Sequence, residues 1–146
     1  MAYIGFELSP GTSDCWSAFP GALLHITLAH FDKPSWEQTR TLAHRLRGLT
    51  RGVATPVFMP ERVAVWPEVG PVLLLRHSAD LMEWRCRVLY ELAKLRIPPS
   101  RNHDYTPHMT LGDASVEEPA IRYIKPIGLE LCGCPTITRV VFPFLS

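Results

Sequence analysis

The chain has 146 residues, 47% of them hydrophobic and 20% charged, with a formal net charge of +1. That is length for one compact domain over residues 1–146 with a real core, and the composition excludes a disordered chain. The near-neutral charge excludes a broad basic surface for long nucleic acid, but leaves room for a small anionic ligand held by a few local groups.

Ala2–Leu8 reads as a short strand that ends at a Ser-Pro-Gly turn. Ser9–Gly21, rich in Gly, Ser, Thr and Pro, reads as a loop, and Ala22–Phe31 as a buried strand. Ser35 opens a helix, with Gln38 placed for a capping box. Trp36, Thr39, Leu42, Ala43, Leu46 and Leu49 recur along it at helical spacing, and Trp36 is expected in the core. Val53–Trp66 and Pro71–His77 read as two strands around a turn at Glu68-Val69-Gly70. Asp80 with Glu83 marks a second helix start, with an apolar stripe of Leu81, Trp84, Val88, Leu92 and Leu95, and Pro98-Pro99 stops it. Ser100–Thr106 reads as a polar loop, Pro107–Gly112 as a strand and residues 116–125 as a short helix. Leu129–Cys132 and Thr136–Leu145 close the chain as strands.

No apolar run is long enough to span a bilayer, and the first residues lack the pattern of a signal peptide. The four cysteines, Cys15, Cys86, Cys132 and Cys134, form no disulfide-scaffold pattern, so a cytoplasmic location is expected. Cys132-Gly133-Cys134 has no second pair of ligands, and zinc is not expected there.

Two segments match each other: Leu24-His25-Ile26-Thr27-Leu28 and Pro107-His108-Met109-Thr110-Leu111. Side chains alternate between the faces of a strand, so His25 shares a face with Thr27, and His108 with Thr110. The intervening apolar residues are free to bury under a helix. Each half thus carries a His-x-Thr strand, a helix and two strands, a weak internal repeat that would pack as two lobes around a cleft. Four polar groups converging there suit phosphoryl transfer. Neutral imidazole takes a proton from an attacking oxygen, imidazolium returns one to a leaving oxygen, and the threonines donate to phosphate oxygens. Both forms of histidine are accessible near neutral pH, and this chemistry needs no metal or other cofactor.

These paired segments resemble the two-histidine (2H) phosphoesterase superfamily, which includes 2′-5′ RNA ligase-like proteins, cyclic phosphodiesterases and phage enzymes that degrade cyclic oligonucleotide signals. The resemblance implies an α+β, bilobal, pseudo-twofold fold, with two antiparallel-sheet lobes flanked by helices and a central cleft. It implies that His25 and His108 are the acid–base pair and that Thr27 and Thr110 bind phosphate. The expected activity is hydrolysis of a small nucleotide phosphodiester: a cyclic oligonucleotide, a 2′-5′ linkage or a 2′,3′-cyclic phosphate. The alternatives are a module that sequesters a nucleotide without cutting it, or a protein that processes RNA ends.

Further candidates line the expected cleft mouth. Tyr105 and Arg101 lie just before the second motif, and either contact substrate or belong to a solvated turn. Trp16 and Phe19 either form a lid over a nucleobase or anchor their loop in the core. His30 alternates onto the face opposite His25, so it is expected to pack or cap the strand end. His44 and His77 read as structural, and Arg62, Arg76 and Arg139 either supply positive charge to the cleft or, as expected for each, are solvated or paired.

Overall fold

The computed structural model describes residues 1–8, 25–100, 105–112 and 123–144. Its elements are β1 (Ala2–Glu7), β2 (His25–Phe31), α1 (Trp36–Gly52), β3 (Pro60–Trp66), β4 (Gly70–Leu75), α2 (Ala79–Lys94), β5 (His108–Thr110), β6 (Gly128–Cys134) and β7 (Ile137–Pro143). Among the described residues the strands form one sheet of order β3-β4-β5-β2-β1-β6-β7. Every neighbouring pair is antiparallel.

The two His-x-Thr strands are adjacent at the seam of this sheet. Three strands lie on one side of the seam and four on the other. The lobes are not the two sequence halves, however. After α1 the chain crosses over, and the β3–β4 hairpin docks on β5, the strand of the second motif. The β6–β7 hairpin docks on β1, beside the first motif. Each half of the chain therefore completes the lobe of the other.

Helix α1 starts where the sequence predicts. Ser35 Oγ accepts from the Gln38 amide at 3.1 Å, and Gln38 Oε1 accepts from the Ser35 amide at 2.8 Å. Gln38 Nε2 also donates to the Leu95 carbonyl at 2.9 Å, which ties α1 to the end of α2. Thr39, Leu42, Leu46 and Thr50 form the buried stripe. Trp36 is not in the core: it is 49% exposed, with the Arg40 guanidinium 4.7 Å from its ring centroid. It occupies the first helical position, at the margin of the stripe. Helix α2 is capped by Ser78, two residues before Asp80. A hydroxyl in extended conformation there accepts from the Leu81 amide at 3.2 Å.

The core lies under one face of the sheet. Trp84 meets Phe6 nearly edge-on at 5.6 Å and Phe144 at 5.4 Å, and Phe6 lies 5.0 Å from Phe58. Such aromatic contacts add to what burial alone supplies. Trp84 Nε1 reaches the Ala54 carbonyl at 3.3 Å, so its one polar atom is satisfied.

Strand β3 is shorter than the predicted Val53–Trp66, because only Pro60–Trp66 pairs with β4. Proline lacks the amide that a ladder needs, and Pro60 is tolerated as the first residue of an edge strand. Upstream, Phe58 forms an isolated bridge with Ile124. The predicted helix 116–125 lies mostly outside the described residues, and its described end holds this bridge rather than a helical turn. No described helix is long and apolar enough to cross a membrane.

Candidate functional site

The site is built on one register pair, Ile26 with Met109. Both side chains are fully buried on the helix-covered face. In antiparallel register, Thr27 then falls beside His108 and His25 beside Thr110, all on the other face. Opposed positions lie about 5 Å apart in a regular sheet, and diagonal ones, such as His25 and His108, about 7–8 Å. Among the described residues the β2–β5 ladder narrows to this one pair, whereas β4–β5 has three. The two motifs are thus related by a local dyad through Ile26 and Met109. His25, Thr27 and His108 are half-buried, and Thr110 is exposed.

Each imidazole is held differently. His108 Nδ1 lies 2.9 Å from the Thr106 carbonyl. A carbonyl only accepts, so Nδ1 carries a proton, and in the neutral ring Nε2 is the acceptor. The Trp66 ring tilts over His108 at 4.4 Å, which gives this residue at the end of β3 a place in the site. His25 stacks on Tyr3, with centroids 4.9 Å apart and planes 22° apart. Tyr3 in turn donates to Glu130 Oε1 at 3.1 Å, and Arg139 Nε donates to the same oxygen at 2.7 Å. Arg139 also pairs with Glu7, the residue opposite His25 in the β1–β2 register. Burial raises the Glu130 carboxyl above its usual range, and the Tyr3 hydrogen bond partly offsets this. Burial, foremost, also pushes the Tyr3 phenol up, so it stays a neutral donor.

His30 corrects the sequence expectation. Ile4 pairs with Ala29 and Gly5 with Thr27, so Leu28 is the extra residue of a β-bulge. A bulge resets the alternation. Tyr3, Gly5 and Glu7 share one face with their register partners His30, Thr27 and His25, which puts His30 on the same face as the His-Thr couples. Its ring lies 6.0 Å from Tyr3. Its outer edge remains open to solvent. Even so, enclosure of the ring, then the charges of His25 and His108, lower its pKa below the usual 6.5. His30 thus lies within electrostatic reach of both His25 and His108. Gly5 permits the bulge: a Cβ there would come within 2.5 Å of the Ile26 carbonyl oxygen.

Beside Thr27 and His108 lies a cavity of about 330 Å³, walled also by His30, Trp66, Arg85 and Tyr105. Tyr105 is more than a loop residue at the mouth. Its hydroxyl donates to the Thr27 carbonyl at 2.8 Å, and Arg85 covers its ring at 4.3 Å. The ring is a fixed wall that braces β2 against the approach to β5. Trp16, Phe19 and Arg101 lie outside the described residues. His44, His77, Arg62 and Arg76 are exposed, and none of them lines this cavity. Cys132 donates to the Thr138 carbonyl at 3.0 Å, and Cys134 is buried. Among the described residues no group of three or more His, Cys, Asp or Glu side chains is arranged to hold a metal ion.

Tyr3, His30, Trp66, Arg85 and Glu130 are the site residues that sequence reasoning did not assign. A glycine inside β1 was the one available signal for the bulge, since such a glycine often marks a close backbone approach.

Neither a family model nor a curated protein matches the sequence of this chain. Solved structures do match its fold. The MHV ns2 PDE domain superposes with a TM-score of 0.64 at 16% identity, covering 95% of this chain and 97% of that one. E. coli LigT complexed with 3′-AMP gives 0.57 at 17% identity, covering 99% and 94%. A phosphoesterase gives 0.55 at 15% identity, also covering 99% and 94%. Strand order, antiparallel pairing and these likenesses agree with what the paired His-x-Thr segments implied: this chain has the fold of the 2H phosphoesterases.

Proposed function

We propose that this protein is a metal-independent phosphodiesterase, one domain over residues 1–146, acting on a small nucleotide phosphodiester by two-histidine acid–base catalysis. The observation that carries the reading is the Ile26–Met109 pair, which sets two His-Thr couples on one face around a local dyad. One imidazole, neutral, takes the proton of the attacking oxygen, which is a ribose hydroxyl or a water. That oxygen bonds to phosphorus. The other imidazole, protonated, gives its proton to the ester oxygen as the bond to phosphorus breaks. The pair ends with the same total charge and exchanged roles. Thr27 and Thr110 donate to the non-bridging oxygens, where charge accumulates. The 3′-AMP complexed with E. coli LigT supports a nucleotide as the ligand of this fold.

The test is hydrolysis of a panel holding 2′-5′ oligoadenylate, 2′,3′-cyclic nucleotides and cyclic di- and trinucleotides, with products resolved by mass and phosphate position. His25→Ala and His108→Ala should each lower kcat by about 10²–10⁴-fold while the thermal transition is kept. EDTA should leave the rate unchanged. Loss on chelation with recovery on adding a divalent metal would refute the mechanism, and stoichiometric capture without turnover would make the protein a sequestering module.

A further inference from the structure

The cavity shares Thr27 and His108 with the acid–base site, and beyond them its wall holds one permanent cation, Arg85, and one further imidazole, His30. None of its described lining residues is acidic. The nearby carboxylates of Glu7 and Glu130 are both paired with Arg139. Arg85 brings a guanidinium from α2 to the cavity wall. Its Nε is buried and has no hydrogen-bond partner among the described residues. The guanidinium is a permanent cation that lines the cavity, where it can meet an anion with charge-assisted hydrogen bonds. His30 reaches the same cavity only because the Leu28 bulge turns it there. A phosphodiester held between His25 and His108 carries a single negative charge and leaves the Arg85 guanidinium unanswered, with His30 beside it as a hydrogen-bonding group.

We propose that this cavity binds a second phosphate of the substrate, through Arg85 and His30. The inference rests on reading the His-Thr face as the seat of the scissile phosphate. It narrows the substrate class to a nucleotide bearing at least two phosphates, such as a cyclic or linear oligonucleotide, and away from a mononucleoside 2′,3′-cyclic phosphate. The volume, about 330 Å³, is at the lower end for small-ligand sites and accepts a phosphate with part of its nucleoside.

The test is calorimetric titration with adenosine 3′-monophosphate and adenosine 3′,5′-bisphosphate, which reads the second phosphate without turnover. The protein should bind the bisphosphate roughly tenfold more tightly or better. In His30→Asn, and separately in Arg85→Met, that preference should fall toward one. Arg40→Met, which removes a charge on α1 remote from the cavity, should keep it. Equal affinity for both ligands, no binding of either, or a preference that survives in both cavity variants would overturn the proposal. A preference lost equally in Arg40→Met would reduce the effect to net charge and overturn it too. If the preference holds while the substrate panel shows no hydrolysis, the phosphodiesterase reading fails and the phosphate pocket stands. If hydrolysis depends on His25 and His108 but the preference is absent, the pocket fails alone.

Discussion

His30 shows how a single extra residue changes a site. Its imidazole is shared among groups from several elements: Tyr3 from β1, His25 from its own strand, His108 from β5, Arg85 across the cavity and the amino group of Met1. Enclosure and the two histidine charges hold its folded pKa below 6.5, the value expected in the unfolded chain. A depressed histidine disfavours the native state once it must be protonated. Its contribution is therefore present above about pH 6.5 and is lost as pH falls through the lower folded value. His30→Asn should flatten this part of the profile. Thermal melts between about pH 7.5 and about pH 5.5 should show a smaller loss of Tm in the variant than in the parent. An equal loss in both would mean that the denaturing proton goes elsewhere. Tyr3 shows the same dependence on neighbours. Its ring stacks on His25 while its hydroxyl donates to Glu130, which Arg139 holds in turn.

The elements act through their edges and irregularities. Strand β1 carries a glycine where β2 bulges, and the two features require each other. Gly5→Ala places a methyl group against the Ile26 carbonyl oxygen, which is backbone and has no rotamer to yield. Overpacking of this kind costs about 1–3 kcal/mol. Denaturant titration should show that loss. Activity on the panel should fall further than stability alone explains, because relief of the clash moves Thr27 and His30. Unchanged stability would mean that β1 and β2 slide apart freely, contrary to the close approach seen. The helices, by contrast, follow local rules. Their starts are set by side-chain oxygens at Ser35 and Ser78, and their buried stripes by the 3.6-residue period.

At the scale of the molecule, the β2–β5 seam joins the core to the face that carries the His-Thr couples. Ile26 and Met109 are buried below it, while the two His-Thr couples stand above. Met109→Ala should cost about 2–5 kcal/mol by cavity formation. It should also lower kcat, since His108 is the next residue and its diagonal relation to His25 depends on this pair. A variant that loses stability but keeps full kcat would show that the seam does not set the catalytic geometry. What the sequence determined by itself was local. The alternation in LHITL and PHMTL fixes which side chains share a face, the capping box fixes the start of α1, and the matched motifs pointed to the fold. Those follow from backbone periods and short-range hydrogen bonds, which a chain carries wherever it is placed. Tertiary structure alone decided the rest: the exchange of hairpins between lobes, the exposure of Trp36, the shortening of β3, and the arrival of His30, Trp66 and Arg85 at the site. Each depends on which strand a strand pairs with and in what register. That choice is set by packing between residues far apart in the chain, and no local pattern encodes it.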